Sequence, residues 1–277
     1  MGFAWYRHPG LLVGGAIALV LMAVAALGFV WTPFDPTRLA LTDRLQGPSA
    51  LHWLGTDHLG RDTVARLMVG AGNSLKVGLL SVALGLVAGT ALGTWAASRN
   101  GSLLDEAVMR TNDFVLAFPA VLTAVMMVHL IGPGAANAIL AIAVFNIPVF
   151  ARLARSAALQ VRARDFVLAA RAAGLTETRI AIAHILPNMA GLLVVQATIQ
   201  FAIAILAEAG LSYLGLGTQP PAPSWGRMLY EARTYMQTQP WLAIFPGAAI
   251  ALTVLGFNLL GDGLRDLVDP RARRART

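Results

Sequence analysis

The chain has 277 residues, of which 57% are hydrophobic and only 13% are charged. Ordinary soluble domains hold about 45–50% apolar and about 25% charged residues, so this composition excludes a soluble fold and indicates a membrane protein. The net charge of +7 does not require nucleic acid, because arginines beside membrane spans reflect topology and attract anionic lipid. We therefore expect membrane lipid, and no nucleic acid, among the partners. The sequence has no cysteine, which excludes disulfides and thiolate metal sites.

Six segments are long and apolar enough to cross the ~30 Å hydrocarbon layer, which takes about 17–25 residues in a helix. They are 11–31, 77–97, 114–131, 135–151, 188–207 and 241–260. The predicted fold class is therefore an all-α polytopic membrane protein with about six transmembrane helices. The first segment also has features of a secretory signal, since Arg7 precedes it and Ala23-Val24-Ala25 resembles a cleavage site. Its apolar run exceeds the 7–15 residues of such signals, so we expect a retained anchor.

Six crossings place both termini on one side of the membrane, and the arginine bias indicates which side. With a cytosolic N-terminus, the cytosolic segments hold Arg7, Arg99, Arg110, Arg152, Arg155, Arg162, Arg164, Arg171, Arg179, Arg265, Arg271, Arg273, Arg274 and Arg276. The opposite side holds Arg38, Arg44, Arg61, Arg66, Arg227 and Arg233. We therefore expect both termini to be cytosolic.

The predicted organisation follows from these spans. It consists of a cytosolic N-terminus over 1–9, the first transmembrane helix over 10–31, an external loop over 32–73, a core of five helices over 74–261 and a basic cytosolic tail over 262–277. The core includes a cytosolic loop over 152–187 and a second external loop over 209–240.

The sequence lacks the catalytic motifs of ATPases, serine hydrolases and zinc proteases. ATP hydrolysis needs a phosphate loop, G-x-x-x-x-G-K-[ST], but the single lysine, Lys76, follows Leu75 and precedes Val77. A nucleophile elbow and a zinc-binding H-E-x-x-H helix are also missing. His52 and His58 share a loop without the spacing of a metal site. We therefore predict no catalytic residue, no metal and no cofactor bound by this chain.

The cytosolic loop over 152–187 contains a predicted short helix over 164–173, which is rich in helix-forming residues. Gly174 should end it, because glycine adopts positive φ without steric cost. Thr176 is a preferred N-cap residue, and Glu177 suits the positive end of the next helix.

That second helix, 177–186, should stop before Pro187, since a helix is disfavoured at the residue before proline. The sequence thus predicts a helix–turn–helix on the cytosolic surface. The alternative is an ordinary loop that lies on the membrane.

The positions of Ala169-Ala170, Gly174 and Leu186-Pro187 resemble the coupling loop of ABC importer permeases. In that family the loop docks its helix into a groove on the ATPase subunit. The resemblance implies a coupling role for Asp165, Ala169, Ala170, Arg171, Gly174, Leu186 and Pro187. Two positions depart from the family motif: Leu168 replaces an acidic residue, and His184 replaces a common isoleucine.

Longer motifs extend the resemblance over nearly the whole chain. They are 54–62 (LGTDHLGRD), 212–221 (SYLGLGTQPP) with 223–226 (PSWG), and 256–266 (GFNLLGDGLRD) with 269–271 (DPR). These segments are similar to the second permease of bacterial dipeptide, oligopeptide and nickel importers. The resemblance implies the type I importer permease fold (MetI-like) with a cytosolic coupling helix, in the bacterial cytoplasmic membrane.

The resemblance also implies partners and a substrate class. The partners would be a sister permease in a heterodimer, two ABC ATPase subunits that hold ATP and magnesium, and an extracytoplasmic solute-binding protein. Peptides are the expected solute, with nickel or another small solute as alternatives. An ion-coupled secondary carrier is a rival interpretation, but it should show internal repeats and ionisable residues near the bilayer midplane. A membrane-bound enzyme is disfavoured by the missing motifs.

Polar groups inside a membrane are costly and usually face the bundle interior, which makes them candidates for the solute route. In the fifth span, Gln196 and Gln200 are four residues apart and share a face, and Glu208 lies within about 120° of that face. We predict that these three side chains line the route. Hydrogen bonding between helices is the alternative role for the two glutamines.

Overall fold

The computed structural model describes residues 9–268. Its helices are α1 (Pro9–Val30), α2 (Thr63–Ser98), α3 (Leu103–Ala117), α4 (Ala120–Ile131), α5 (Ala135–Arg162), α6 (Asp165–Ala172), α7 (Glu177–Ile180), α8 (Leu186–Tyr213), α9 (Trp225–Ala232) and α10 (Trp241–Val268). A π-helical stretch, Ala181–Ile185, joins α7 to α8.

Five helical stretches are long and apolar enough to cross a membrane. They are α1, α2, α5, α10 and the continuous stretch Glu177–Tyr213, and the bent pair of α3 and α4 makes a sixth if it is counted as one span. The described residues therefore confirm the all-α polytopic fold class with about six spans.

Helices α2 and α5 approach each other closely along a stripe of glycines on α2. Gly85, Gly89 and Gly93 recur every fourth residue and so share one face. A methyl group added at Gly89 would stand 2.4 Å from the carbonyl oxygen of Ile147, and one added at Gly93 would stand 2.2 Å from that of Ala151. Lipid tails are as apolar as the helices, so membrane helices depend on such close packing rather than on a hydrophobic drive to associate.

Helix α1 packs on α10 in the same way. A methyl group at Gly14 of α1 would stand 2.4 Å from the backbone nitrogen of Leu260, and one at Gly263 of α10 would stand 2.7 Å from that of Leu11. The N-terminal helix is therefore joined to the last one through backbone contact.

The loop after α1 is shorter than the predicted one over 32–73, because α2 begins at Thr63. Asp62 caps this helix: its side chain accepts a hydrogen bond from the Ala65 backbone N–H at 2.8 Å. Aspartate is a preferred N-cap residue. The predicted second span was placed from an uncharged run of residues. Arg66 lies in the first turns of α2, so this charged part of the helix was assigned to the loop.

The third predicted span, 114–131, is not one helix. Helix α3 ends at Ala117 and α4 starts at Ala120, with a bend of 91° between them. Phe118 has an extended backbone, with φ of −91° and ψ of 142°, which is the conformation preferred before a proline such as Pro119. Helix α4 alone has 12 residues, about 18 Å, and is too short to cross the hydrocarbon layer.

Helices also extend into other predicted loops. Helix α5 continues to Arg162 and so occupies the first part of the predicted loop over 152–187. Helix α8 continues to Tyr213, inside the predicted loop over 209–240, which also holds α9. The hydrophobic run of a span ends with the lipid, whereas its helix can continue into water.

The two chain ends lie largely beyond the described residues. Helix α10 continues to Val268, so the first part of the predicted tail over 262–277 is helical. The rest of that tail, and the predicted N-terminal segment over 1–9 apart from Pro9, lie outside the described residues.

We expect Gly89→Leu to lower the free energy of unfolding by about 1–3 kcal/mol or more, because the new side chain collides with the backbone of α5. Thermal unfolding in detergent, together with the amount of protein in the membrane, measures the effect. Gly15→Leu is the matched control, since a Cβ there meets nothing within 4 Å. Equal losses at the two positions would contradict the proposed packing.

Candidate functional site

The segment between α5 and α8 contains the separate short helix α6. Its end has both hydrogen bonds of a Schellman motif: the Leu175 N–H donates to the Ala170 carbonyl at 3.2 Å, and the Gly174 N–H donates to that of Arg171 at 3.0 Å. Gly174 has φ of +82°, which glycine adopts without steric cost. The predicted helix over 164–173 and its stop at Gly174 are confirmed.

The next helix starts as predicted but does not stop as predicted. Thr176 caps α7, where its side-chain oxygen accepts a hydrogen bond from the Arg179 N–H at 3.4 Å. Helix α7 then continues through the π-helical stretch into α8 without a break. The predicted separate helix over 177–186 is therefore wrong, and α7 is the beginning of the long helix that contains the fifth span.

The reason lies at Pro187, the second residue of α8. Proline has no N–H for the preceding turn, and its ring crowds the carbonyl of the residue four positions earlier. The wider π turn relieves this crowding, and the Leu186 N–H donates to the Ala181 carbonyl. The side-chain amide of Asn188 donates to the His184 carbonyl at 2.6 Å, so this carbonyl too has a partner.

Helix α6 exposes an apolar face. Val167 is fully buried and anchors the helix, whereas Phe166 and Leu168 are 41% and 49% exposed. Ala169 is also exposed. An exposed apolar patch on a segment outside the spans is typical of a protein contact surface.

The seven predicted coupling residues lie on this helix or follow it. Those exposed are Asp165, Ala169, Arg171, Gly174 and Pro187, and those half-buried are Ala170 and Leu186. Their role in docking an ATPase stays a prediction.

The three predicted route residues of α8 differ in burial. Gln196 is half-buried, while Gln200 and Glu208 are 7% and 1% exposed. The structure thus does not bring them together as one exposed polar stripe. Glu208 is within hydrogen-bonding distance of Ser212, whose hydroxyl donates to Oε1 at 2.7 Å.

Glu208 belongs to a cluster of hydroxyl groups that joins three parts of the chain. Ser212 accepts the backbone N–H of Thr218 at 3.0 Å, and Ser74 of α2 accepts the first N–H of α9 at 3.2 Å. Ser74, Ser212 and Ser224 are fully buried and Thr218 is 4% exposed, while Glu208 Oε2 and the Thr218 hydroxyl make no hydrogen bond among the described residues. The backbone N–H groups that Ser212 and Ser74 accept hold the segment after α8 against α2.

Buried ion pairs join the 31–62 loop to α2 and α9. Asp57 accepts from Arg61 Nε at 2.7 Å and also from Arg66, and Glu231 accepts from both arginines at 2.8 Å. Burial alone would raise the pKa of Asp57, but Arg66 and Arg61 hold that pKa below its ordinary value of 3.8. The same opposing effects hold the pKa of Glu231 below 4.5. Both groups are therefore charged at neutral pH and tie the loop to the helices.

The histidines of this loop are engaged with other side chains. His52 Nδ1 lies 2.9 Å from Asp62 Oδ2, and the His58 ring stacks on Tyr235 with centroids 5.6 Å apart. His58 also places a possible ligand atom within 4.8 Å of the two paired carboxylates. Arginines already occupy those oxygens, and their positive charge disfavours a metal ion there.

Residues 89–274 match the family described as the binding-protein-dependent transport system inner membrane component. The chain belongs to this family. It is thus the membrane-embedded permease component of an ABC importer, located in the inner membrane. It does not hydrolyse ATP itself and binds no cofactor; a separate ATPase subunit binds ATP, and a binding protein is the other implied partner.

Relatives of the permease match it over nearly its full length. It is 44% identical over 262 residues to the dipeptide transport system permease protein DppC of Alkalihalophilus pseudofirmus, covering 95% of this chain and 86% of the relative. It is 45% identical over 269 residues to the glutathione transport system permease protein GsiD of Salmonella paratyphi A, covering 96% and 88%. These matches confirm the predicted resemblance to the second permease of peptide importers.

A solved structure supports the fold. The inward-facing MetNI methionine ABC transporter contains a chain that superposes with a TM-score of 0.59, covering 76% of the permease and 96% of that chain. At 22% identity the likeness concerns the fold alone, and it confirms the predicted type I importer architecture.

The hydroxyl cluster was not predicted from the sequence, although three of its members lie in recognisable motifs. Ser212, Thr218 and Ser224 lie within the motifs at 212–221 and 223–226 that carry the family resemblance. Ser74 has no local signal, because only the fold brings α2 beside the end of α8.

We expect Glu208→Ala to lower the free energy of unfolding by roughly 1–3 kcal/mol, because it leaves the buried Ser212 hydroxyl without its acceptor. Glu208→Gln keeps the size and one acceptor and should lose less. Thermal unfolding and membrane abundance measure this effect.

The same variants, with Gln196→Ala and Gln200→Ala, also test the predicted route. Solute uptake divided by the amount of inserted protein must fall for a residue that lines the route. Reduced abundance with unchanged uptake per molecule would reject the route role for that residue.

Proposed function

We propose that this permease carries short peptides across the inner membrane and that its α6 segment is the part that docks onto the ATPase. The docking role is supported most directly by the geometry of α6. It is a separate helix with an exposed apolar face, and it is attached to a helix that continues into the fifth span. Movement of α6 by a partner would therefore reach the membrane through one short turn, residues 173–176.

Short peptides are the solute class that the relatives favour. One relative is a permease for dipeptides and the other for glutathione, which is itself a modified tripeptide. Both match the chain almost equally well, so the proposal names the shared chemistry, a short peptide, rather than one compound. The solute-binding protein would select among such compounds.

The proposed complex contains this permease, a sister permease in a heterodimer, two ATPase subunits and one external binding protein. The arginine bias supports cytosolic termini, which puts α6 on the cytosolic side with the ATPases. The 31–62 loop and α9 then lie on the external side with the binding protein. Gln196, Gln200 and Glu208 remain proposed route residues.

In the proposed cycle, ATP closes the two ATPase subunits and moves α6 as a rigid body. Because α7, the π stretch and α8 form one continuous helix, this movement tilts the fifth span and opens the bundle outward to the binding protein. ATP hydrolysis resets it. An ion-coupled carrier would not need a cytosolic helix that docks onto an ATPase.

Reconstitution in proteoliposomes tests the function. With sister permease, ATPase and binding protein present, we expect ATP-dependent uptake of a labelled dipeptide or of labelled glutathione. Omitting the ATPase is the control and should abolish uptake. Uptake by this chain alone, or failure of the chain to bind an ATPase, would contradict the proposal.

We expect Gly174→Val to reduce ATPase binding or its stimulation by solute, while the protein still inserts. A β-branched residue at φ of +82° costs roughly 1–2 kcal/mol or more and would displace the end of α6. Co-purification of the ATPase and its solute-stimulated activity are the measurements.

Gly101→Val is the matched control for this variant. Gly101 also has positive φ, +78°, and open space around it, but it lies in the turn between α2 and α3. It should carry the same backbone strain without the loss of coupling. Unchanged solute-stimulated activity in Gly174→Val would contradict the docking role.

A further inference from the structure

One carboxylate connects α6 to the two long helices that flank it. Arg162 Nη2 donates to Glu177 Oε2 at 2.5 Å, and Arg171 Nε donates to Glu177 Oε1 at 2.8 Å. Arg162 is the last residue of α5, Arg171 lies in the last turn of α6, and Glu177 is the first residue of α7. Each oxygen of one carboxylate therefore holds an arginine from a different helix.

This arrangement differs from an ordinary surface ion pair. The Arg162 side chain is only 12% exposed, so its charge is less screened by solvent, while the side chains of Arg171 and Glu177 are 43% and 46% exposed. Glu106 and Arg110 of α3 form the ordinary kind, within one helix, with side chains 59% and 78% exposed; such pairs contribute little. The Glu177 contacts instead close the turn between α6 and α7 and fasten it to α5.

The other attachments of α6 are apolar, and the Glu177 carboxylate adds polar contacts at its C-terminal end. Val167 is fully buried, and the ring of Phe166 lies 6.3 Å from that of His184 in the π stretch. Both contacts lie in the first half of the helix. Ala170 in its second half and Leu175 in the glycine turn pack against the core, while Gly174 is exposed. The two arginine contacts are the side-chain hydrogen bonds that join this turn to α5 and α6.

We propose that Glu177 is a positioning residue that locks α6 to α5 and to the α7–α8 helix, so that displacement of α6 moves the fourth and fifth spans together. The inference rests on the proposed docking role of α6. It predicts that loss of the Glu177 charge uncouples ATP hydrolysis from transport while the ATPase stays bound.

The test uses the complete complex in proteoliposomes, with the labelled peptide that wild type transports. For Glu177→Gln we expect normal co-purification of the ATPase. Uptake per ATP hydrolysed should fall by roughly fivefold or more, which is the scale of a typical coupling energy. Arg162→Gln and Arg171→Gln should act in the same direction. Adding either to Glu177→Gln should have little further effect, because all three act through one carboxylate. Glu177→Asp keeps the charge and should restore part of the coupling.

A second readout does not depend on the solute. The chain has no cysteine, so a fluorescent label can be placed at Tyr213→Cys, an exposed position at the end of α8. Trapping with ATP and vanadate should change its fluorescence in the otherwise wild-type complex, and Glu177→Gln should lose most of that change. Glu106→Gln is the matched control and should keep it.

Two results would overturn the inference. One is unchanged uptake per ATP together with an unchanged label response in Glu177→Gln. The other is loss of the ATPase from that variant, which would make Glu177 a direct docking contact. Failure of the underlying function would be seen separately, as a wild-type chain that binds no ATPase.

Discussion

The close backbone contact between α2 and α5 is the constraint on which the rest of the fold depends. In lipid, apolar side chains gain nothing by leaving one apolar environment for another, so association rests on dispersion and close approach. The glycine stripe on α2 provides this approach along the helix pair. Because the two helices are fixed against each other, the groups at their ends have defined positions as well. Arg155 of α5, for example, holds α3 through a 2.6 Å contact with the buried Asp105.

The two ends of the bundle are built in different ways. At the end where α2 begins, the ion pairs around Asp57 and Glu231 and the hydroxyl cluster around Glu208 tie the loops firmly to the helices. At the other end, α6 exposes an apolar face and is held by the core packing of Val167, Ala170 and Leu175 and by the contacts of Glu177. Buried networks of this kind make a surface rigid, whereas an exposed, lightly attached helix can follow a partner. This difference fits a subunit that receives movement at one end.

The continuity of α7 with α8 connects the α6 segment directly to the fifth span. A helix–turn–helix lying apart on the surface could move without affecting the spans. Here the π stretch carries the helix past Pro187, and Glu177 joins the start of that helix to α5. Pro187, which local sequence rules predict to end a helix, therefore lies within a continuous helix.

Local signals in the sequence predicted much of the permease correctly. The apolar runs placed the spans, Gly174 and Thr176 placed the turn after α6, and the ordered motifs placed the chain in its family. These features work locally, because hydropathy, positive φ and capping depend on a residue and its close neighbours. Errors occurred where a local rule met a wider context: Asp62 started α2 earlier than the charged residues suggested, and the helix break at Phe118-Pro119 was overlooked inside an apolar run.

The sequence by itself determined that this chain lies in a membrane, cannot hydrolyse ATP and belongs with importer permeases, since composition and motif order need no three-dimensional information. Only the tertiary structure decided which polar groups meet. Trp225 reaches Ser74, and Glu177 reaches Arg162, because helix packing brings separate parts of the chain together, and no spacing rule in the sequence encodes those distances.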